Sequence, residues 1–176
     1  MNQKDYSISA FAAATALLRN RVDHVVTVPD WVQLSLHARL DKGVGDIKVI
    51  NCCNENQVVT VAAGLTIGGK RPLLMMQNQG LYNCFNTLRA VCLDAHIPMV
   101  FMVGQFGFEF DKMGQPFSQS TRSMVRVMEP FLRAIEVPCH VLNSVDDLTL
   151  MDQAFEEAER LRTAVVLLVT APMSWN

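Results

Sequence analysis

The chain has 176 residues, half of them hydrophobic, and 15 basic side chains face 17 acidic ones. The net charge of −2 and the absence of basic runs longer than two residues argue against nucleic-acid and polybasic membrane contacts. The polar residues 1–6 contain no secretory apolar segment, and no apolar stretch approaches the ~20 residues of a membrane span. We therefore expect a cytoplasmic protein that folds as a single domain over residues 1–176.

Helix-like and strand-like segments alternate along the chain. Ser7 can cap an Ala- and Leu-rich helix that ends near Arg19, and later helices are predicted over 31–40, 58–67, 81–95, 121–136 and 145–162. Strands are predicted over 24–28, 47–52, 72–76, 98–103, 139–142 and 164–169. Because these strands are continuously apolar, the pattern predicts an α/β fold of three α/β/α layers around a six-stranded, mostly parallel sheet.

One nucleotide-binding pattern is misleading. Residues 64–70 match G-x-x-x-x-G-K, the core of a phosphate-binding loop, but such a loop follows a strand and opens a helix. Here a helix ends at Gly68-Gly69 and a strand follows, and Arg71 stands where Ser or Thr should hold magnesium. The histidines and cysteines also lack ligand spacing, so we predict no metal site in this chain.

Two polar turns follow predicted strands. Glu55 lies where the second strand gives way to a small-residue helix, and the third strand ends in the amide-rich segment 77–83. The carboxyl ends of parallel strands open into ligand crevices, and a carboxylate among neutral amides there suggests proton chemistry. The simpler alternatives are a solvated acid stabilised by the helix dipole, and an ordinary turn that uses Gly80.

A long irregular loop, 104–119, follows the fourth strand. It contains four phenylalanines and two acids, namely Phe106, Phe108, Phe110, Phe117, Glu109 and Asp111. Loops of this length in a small domain usually have a function. Exposed phenylalanines are unfavourable, so the sequence predicts that they cover a site or a partner.

The markers of a known family occur at these positions. They are Val28-Pro29-Asp30, Asn54-Glu55 before an Ala/Gly-rich helix, and Met76-Gln77-Asn78-x-Gly80-x-x-Asn83 continuing as Asn86-Thr87-Leu88. With these markers nearly the whole chain resembles the pyrimidine-binding domain of thiamine-diphosphate enzymes. More narrowly, it resembles the α subunits of sulfopyruvate decarboxylases and the matching half of phosphonopyruvate decarboxylases.

The resemblance implies a role for each marker. Glu55 would be the catalytic glutamate that hydrogen-bonds N1′ of the cofactor's aminopyrimidine and so promotes loss of the thiazolium C2 proton before attack on a 2-oxo acid. The pyrimidine side of the crevice would be lined by Gln77, Asn78, Gly80 and Asn83. The substrate would be faced by Pro29, Asp30, Phe106 and the 104–120 loop.

Two departures from the family shape these expectations. The sequence contains no Gly-Asp-Gly, the family's signature for holding diphosphate and Mg²⁺, so a second subunit is expected to supply that domain. Phe106-Gly107 stands where the sulfo- and phosphonopyruvate enzymes typically read Arg-Gly. A guanidinium suits an anionic head group and phenylalanine does not, which opens the alternative of a less charged or more apolar substrate. Arg122 or Arg126 could supply the missing cation.

The sequence thus predicts one subunit of a heteromeric thiamine-diphosphate-dependent 2-oxo acid decarboxylase or carboligase. Self-association is a further way to cover the apolar crevice. The main alternative is a non-catalytic regulatory or binding subunit with the same fold, and a more distant one is a flavodoxin-like binding protein.

Overall fold

A parallel β-sheet forms the centre of the structure, a computed structural model that describes residues 7–176. The N-terminal segment 1–6, expected to be polar and without a secretory apolar region, lies outside the described residues. The strands are β1 (Ile8–Ser9), β2 (His24–Thr27), β3 (Lys48–Asn51), β4 (Pro72–Gln77), β5 (Met99–Gly104), β6 (Cys139–Leu142), β7 (Ala164–Val169) and β8 (Met173–Ser174). Six of them form one all-parallel sheet in the order β3-β2-β4-β5-β7-β6, and β1 pairs with β8 separately.

Helices cover both faces of the sheet. They are α1 (Ala10–Arg19), α2 (Leu34–Asp41), α3 (Glu55–Ile67), α4 (Asn78–Asn83), α5 (Phe85–Leu88), α6 (Ser123–Arg126), α7 (Met128–Ala134) and α8 (Leu150–Leu161). Side chains of α1, α2 and α8 join one apolar core, and those of α3 to α7 join the other. The predicted three-layer fold with six parallel strands is therefore confirmed.

The structure corrects several predicted helix boundaries. The cap of α1 is Ser9, whose side chain accepts a hydrogen bond from the N–H of Ala12, because residues 8–9 pair with β8 instead of joining the helix. The helix predicted over 81–95 begins earlier, breaks at Cys84, and ends as a π-helical turn, Arg89–Asp94. Pro130 lies in the first turn of α7, where a missing N–H costs little.

The sheet has a topological switch point between β2 and β4. The chain leaves β2 for α2 on one face of the sheet, whereas it leaves β4 for α4 on the other. Ligand crevices of open α/β sheets form at such points, beyond the carboxyl ends of the strands. Within residues 7–176, no helix is both long and apolar enough to cross a membrane.

Phe101, at the centre of β5, provides a test of the core between the sheet and α3 to α7. It is fully buried, so Phe101→Ala should lower the free energy of unfolding by about 3–5 kcal/mol. Phe110→Ala is the matched control, because that side chain is 66% exposed and its loss should change stability by about 0.5 kcal/mol or less. Urea denaturation measures both values. Equal losses in the two variants would contradict this packing.

Candidate cofactor site

Glu55 is the first residue of α3, and its carboxylate points toward α4. Oε2 accepts a hydrogen bond from Nδ2 of Asn83 at 3.2 Å, while Oε1 accepts none from the described residues. The start of α3 is stabilised by its N-cap, because Oδ1 of Asn54 accepts a hydrogen bond from the N–H of Gln57 at 3.0 Å. The helix dipole favours a carboxylate at this position. One oxygen of Glu55 is thus available to a ligand.

Gly80 allows the close approach between α3 and α4. A Cβ atom at position 80 would lie 2.4 Å from Cγ and 2.5 Å from Oε1 of Glu55. Any side chain there would displace the carboxylate, so the glycine is what allows Glu55 to pack against the backbone of α4. The strands β3 and β4 are separated by β2, and Glu55 still meets Asn83 because α3 crosses β2 and packs on β4. The structure therefore brings together Glu55, Gly80 and Asn83.

Asn78 is buried and ties the turn after β4 to the loop after β5. Its Nδ2 donates to Oε1 of Gln105 and to the carbonyl of Phe106, both at 3.0 Å. Its Oδ1 accepts from the N–H of Gln79 at 2.9 Å. Both amide hydrogens of Asn78 are thus used within the protein. The side chain fixes the position of neighbouring backbone, and Gln77 beside it is half-buried at the end of β4.

Asp30, which follows β2, is 1% exposed and lies against the end of β5. A Cβ atom at position 104 would lie 1.9 Å from its Oδ2, so only glycine is compatible with this carboxyl. Oδ1 accepts from the N–H of Val32 at 2.8 Å, and Oδ2 accepts from Nε2 of Gln33 at 2.7 Å. Burial raises the pKa of Asp30 to about 6, although hydrogen bonds, including one from Gln77, act in the opposite direction.

His37 is the buried partner of the same turn. Its Nε2 accepts a hydrogen bond from the N–H of Asp30 at 3.1 Å, so the bond assigns the ring hydrogen to Nδ1 and leaves the ring neutral. Burial lowers the pKa of His37 to about 4, against the opposing charge of Asp41. The fold therefore favours a protonated carboxyl and an uncharged imidazole side by side at mildly acidic pH.

A cavity of about 370 Å³ lies beside this edge of the sheet, beyond the ends of β2, β5 and β7. Phe106 lines it and is half-buried, whereas Pro29 is exposed. The other phenylalanines of the loop are divided between the core and the exposed cavity wall. Phe108 and Phe117 pack edge to face in the core with ring centroids 5.1 Å apart, and Phe110 is exposed at the cavity.

Some of these features have no local signal in the sequence. The His37–Asp30 hydrogen bond spans seven residues with no motif, and burial of Asp30 depends on Gly104, which lies on another strand. Trp31 lines the cavity and directly follows the marker residue Asp30. That adjacency was the one sequence signal for its place at the site. Among the described residues, no group of three or more His, Cys, Asp or Glu side chains could hold a metal ion.

Comparisons with known proteins show the family and the fold of the chain. Residues 9–124 match the family described as "Thiamine pyrophosphate enzyme, N-terminal TPP binding domain". The chain belongs to this family, in which thiamine pyrophosphate is another name for thiamine diphosphate.

Two curated relatives are similar over most of their length. The sulfopyruvate decarboxylase subunit alpha of Methanothermobacter thermautotrophicus is 29% identical over 130 residues, which are 73% of this chain and 78% of the relative. The sulfopyruvate decarboxylase subunit alpha of Methanococcus maripaludis is 26% identical over 163 residues, covering 91% and 93%. The chain is thus homologous to decarboxylase subunits whose name, subunit alpha, implies a partner subunit in those enzymes.

Two solved structures share the fold. A thiamine diphosphate-dependent 4-hydroxybenzoylformate decarboxylase from Rhodococcus jostii RHA1 superposes with a TM-score of 0.69 at 18% identity. A 2-oxoglutarate:ferredoxin oxidoreductase from Magnetococcus marinus, solved with 2-oxoglutarate, coenzyme A and succinyl-CoA bound, superposes with a TM-score of 0.61 at 11% identity. Each match covers 96% of this chain but 32% and 28% of those longer chains, respectively.

The neighbouring Asp30 and His37 give a test based on the pH dependence of stability. Unfolding lowers the pKa of Asp30 from about 6 toward its ordinary value and raises that of His37 from about 4 toward its own. Between pH ~4 and ~6, folding therefore releases a proton from the imidazole and takes one up on the carboxyl. The two contributions to the pH dependence should nearly cancel.

Single variants should reveal each contribution. In His37→Gln, the raised pKa of Asp30 acts alone, so stability should fall with rising pH by up to about 1.4 kcal/mol per unit across this window. In Asp30→Asn, the lowered pKa of His37 acts alone, so stability should rise with pH by a similar amount. Urea denaturation at several pH values measures the slopes. Parallel profiles for the two variants would contradict the assigned protonation states.

Proposed function

We propose that this chain is the cofactor-activating subunit of a cytoplasmic, heteromeric thiamine-diphosphate-dependent 2-oxo acid decarboxylase or carboligase. The observation that carries the proposal is the carboxylate of Glu55, held at the start of α3 beside Gly80 with one oxygen available to a ligand. Membership of the family and homology to decarboxylase subunits support the choice of cofactor.

The residues around Glu55 suit the pyrimidine side of the cofactor. An aminopyrimidine presents ring nitrogens and an exocyclic amine, which need a carboxylate or amides as partners. Glu55 would share a proton with the ring nitrogen, and Asn83 would keep the carboxylate directed into the crevice. Gly80 lets the Glu55 carboxylate lie against the backbone of α4, where a Cβ would clash with it. The donor set therefore fits an aminopyrimidine.

The bound cofactor would supply an electron sink that accepts the electron pair of the broken carboxylate C–C bond as CO₂ leaves. The part of this chain in that chemistry is to hold and move a proton at Glu55. Gln77 would line the ring at the end of β4. Asn78 and Asp30 would act as positioning residues, because their side chains are buried and engaged with the protein.

A second polypeptide would complete the site. The chain spans about a third of each of the two solved enzymes that share its fold, and its curated relatives are named subunit alpha. We infer that the partner supplies the domain that holds diphosphate and Mg²⁺. We also propose that residues 1–176 act as one cofactor-binding domain, since β6 and β7 extend the same sheet beyond residue 124.

The subunit proposal is tested by co-purification. The tagged full chain, expressed in its native host, should retain a stoichiometric second chain that contains a Gly-Asp-Gly motif. Together the two chains should release CO₂ from a 2-oxo acid in a reaction that requires thiamine diphosphate and Mg²⁺. Recovery of the chain alone, or with no cofactor-dependent CO₂ release from the complex, would favour a binding or regulatory role.

The role of Glu55 is tested in the reconstituted complex. Glu55→Gln keeps a hydrogen-bond acceptor for Asn83 but cannot exchange a proton at the same site, so turnover should fall by about 100-fold or more. Stability should be unchanged, because Glu55 is half-buried and has one partner. Glu156→Gln on the exposed face of α8 is the matched control and should keep full activity. Full turnover in the Glu55 variant would rule out the mechanism.

A further inference from the structure

The cavity beside the carboxyl edge of the sheet has mostly apolar walls. Its volume of about 370 Å³ lies in the range of small-molecule sites. Two of its aromatic side chains, Trp31 and Phe110, are 70% and 66% exposed, which is unusual for residues of this size on a free surface. The main apolar residues of the wall are Trp31, Val32, Phe106, Phe108, Phe110 and Met113. Such walls favour a ligand with a large apolar body.

Most polar side chains that line the cavity are already engaged. Gln105 accepts from Asn78 and donates to the carbonyl of Val125 at 3.3 Å. Thr170 is hydrogen-bonded to the carbonyl of Leu142 at 3.2 Å and to the side chain of Asn143. These groups therefore have little capacity left to recognise a ligand.

Glu109, the acid of the cavity, is also engaged. Its carboxylate accepts from the Ser120 hydroxyl at 2.7 Å, and from the Thr121 hydroxyl at 2.6 Å and N–H at 2.9 Å. Hydrogen bonds from Thr121 and Ser120 hold the pKa of Glu109 well below its usual range, so it stays charged. A ligand with a second anionic group inside the cavity would face this carboxylate, which Nζ of Lys112, 3.7 Å from Oε1 and outside the cavity lining, only partly balances.

Arg122 is the cation of the cavity that is left for a ligand. Its guanidinium forms no ion pair with any residue in the range 7–176. By contrast, Arg126 does not line the cavity, and its Nη1 donates to the carbonyl of Ser120 at 2.9 Å. The side chain of Arg122 lies along Gly107, where a Cβ atom would come within 3.1 Å of its Cδ.

A series of contacts links Arg122 to the turn that carries Gly80. The same Gly107 position is 3.5 Å from Sδ of Met124, and that sulfur is 3.8 Å from Nε2 of Gln79 on α4. Gln79 directly precedes Gly80, which packs on Glu55. These neighbouring contacts connect the turn beside Glu55 to Arg122 and the cavity.

We propose that this cavity is the substrate pocket and that it selects a 2-oxo acid with one anionic group and a large, preferably aromatic, side chain. The carboxylate lies at Arg122, nearer to Glu55, and the apolar side chain lies among Trp31, Phe106 and Phe110. A 2-oxo acid with a second, sulfonate-like anion is disfavoured because the described cavity offers one cation and one fixed acid. This inference rests on the proposed function for its choice of 2-oxo acids.

Binding of an unreactive probe to the full chain tests the pocket without any turnover. In a Trp175→Phe background, Trp31 is the sole tryptophan, so its fluorescence reports on the cavity. We expect saturable binding of 3-phenyllactate, which keeps the ring and the carboxylate but lacks the reactive oxo group. Lactate and 3-sulfolactate should bind about tenfold or more weakly.

Variants identify the groups responsible. Arg122→Gln and Phe110→Ala should each weaken 3-phenyllactate binding by about tenfold. Arg133→Gln, which removes an equal charge from an exposed site on α7, is the matched control and should have no effect. Phe106→Arg adds a second cation and should shift the preference toward 3-sulfolactate.

The possible outcomes separate this inference from the proposed function. If the assembled complex releases CO₂ from sulfopyruvate and the chain does not bind 3-phenyllactate, the function stands and the pocket assignment is wrong. If 3-phenyllactate binds through Arg122 but no 2-oxo acid loses CO₂, the pocket stands and the enzyme assignment is wrong. If Phe110→Ala abolishes capture of the second subunit and 3-phenyllactate does not bind, the aromatic surface is an interface and the inference is overturned.

Discussion

The contact between the Asp30 carboxyl and the backbone of Gly104 is the constraint on which the crevice depends. Asp30 follows β2 and Gly104 ends β5, and β4 lies between these two strands. The contact therefore holds together loops that the sheet itself leaves apart. Gln33 strengthens it by donating to both Asp30 and the carbonyl of Met102. The carboxyl end of β4 therefore lies between the fixed loops after β2 and β5. These loops define the position of the turn that begins at Asn78.

Asn78 connects two regions next to this contact, namely the turn beside Glu55 and the loop that lines the cavity. Toward α3, the turn after β4 presents Gly80 and Asn83 to the carboxylate of Glu55. Toward the 104–119 loop, the Asn78 amide donates to Oε1 of Gln105 and to the carbonyl of Phe106. One buried side chain thus sets the distance between the turn beside Glu55 and the aromatic cavity. A displacement of the loop would be transmitted to the turn beside Glu55 through two hydrogen bonds.

The sequence predicted the sheet well because its central strands β4, β5 and β7 are almost entirely apolar runs, and such runs form buried parallel strands. It missed β1 and β8, which have two residues each and no periodic pattern. The proximity of Glu55 to the 77–83 turn was predictable because strand ends of a parallel sheet share one edge. The burial of Asp30 was not predictable, since it depends on a glycine that is distant in sequence. The distribution of the loop phenylalanines between core and cavity likewise depends on tertiary packing.

The edge position of β3 has a consequence for the dynamics of the site. This four-residue strand pairs on one side with β2, and its outer residues Lys48 and Asn51 are exposed, whereas β5 and β7 are buried throughout. Glu55 lies four residues after Asn51, the last residue of this partly exposed strand. Local opening at the sheet edge would withdraw the carboxylate while the central strands stay folded. Any subunit or cofactor that covers this edge would therefore order the acid as well as complete the crevice.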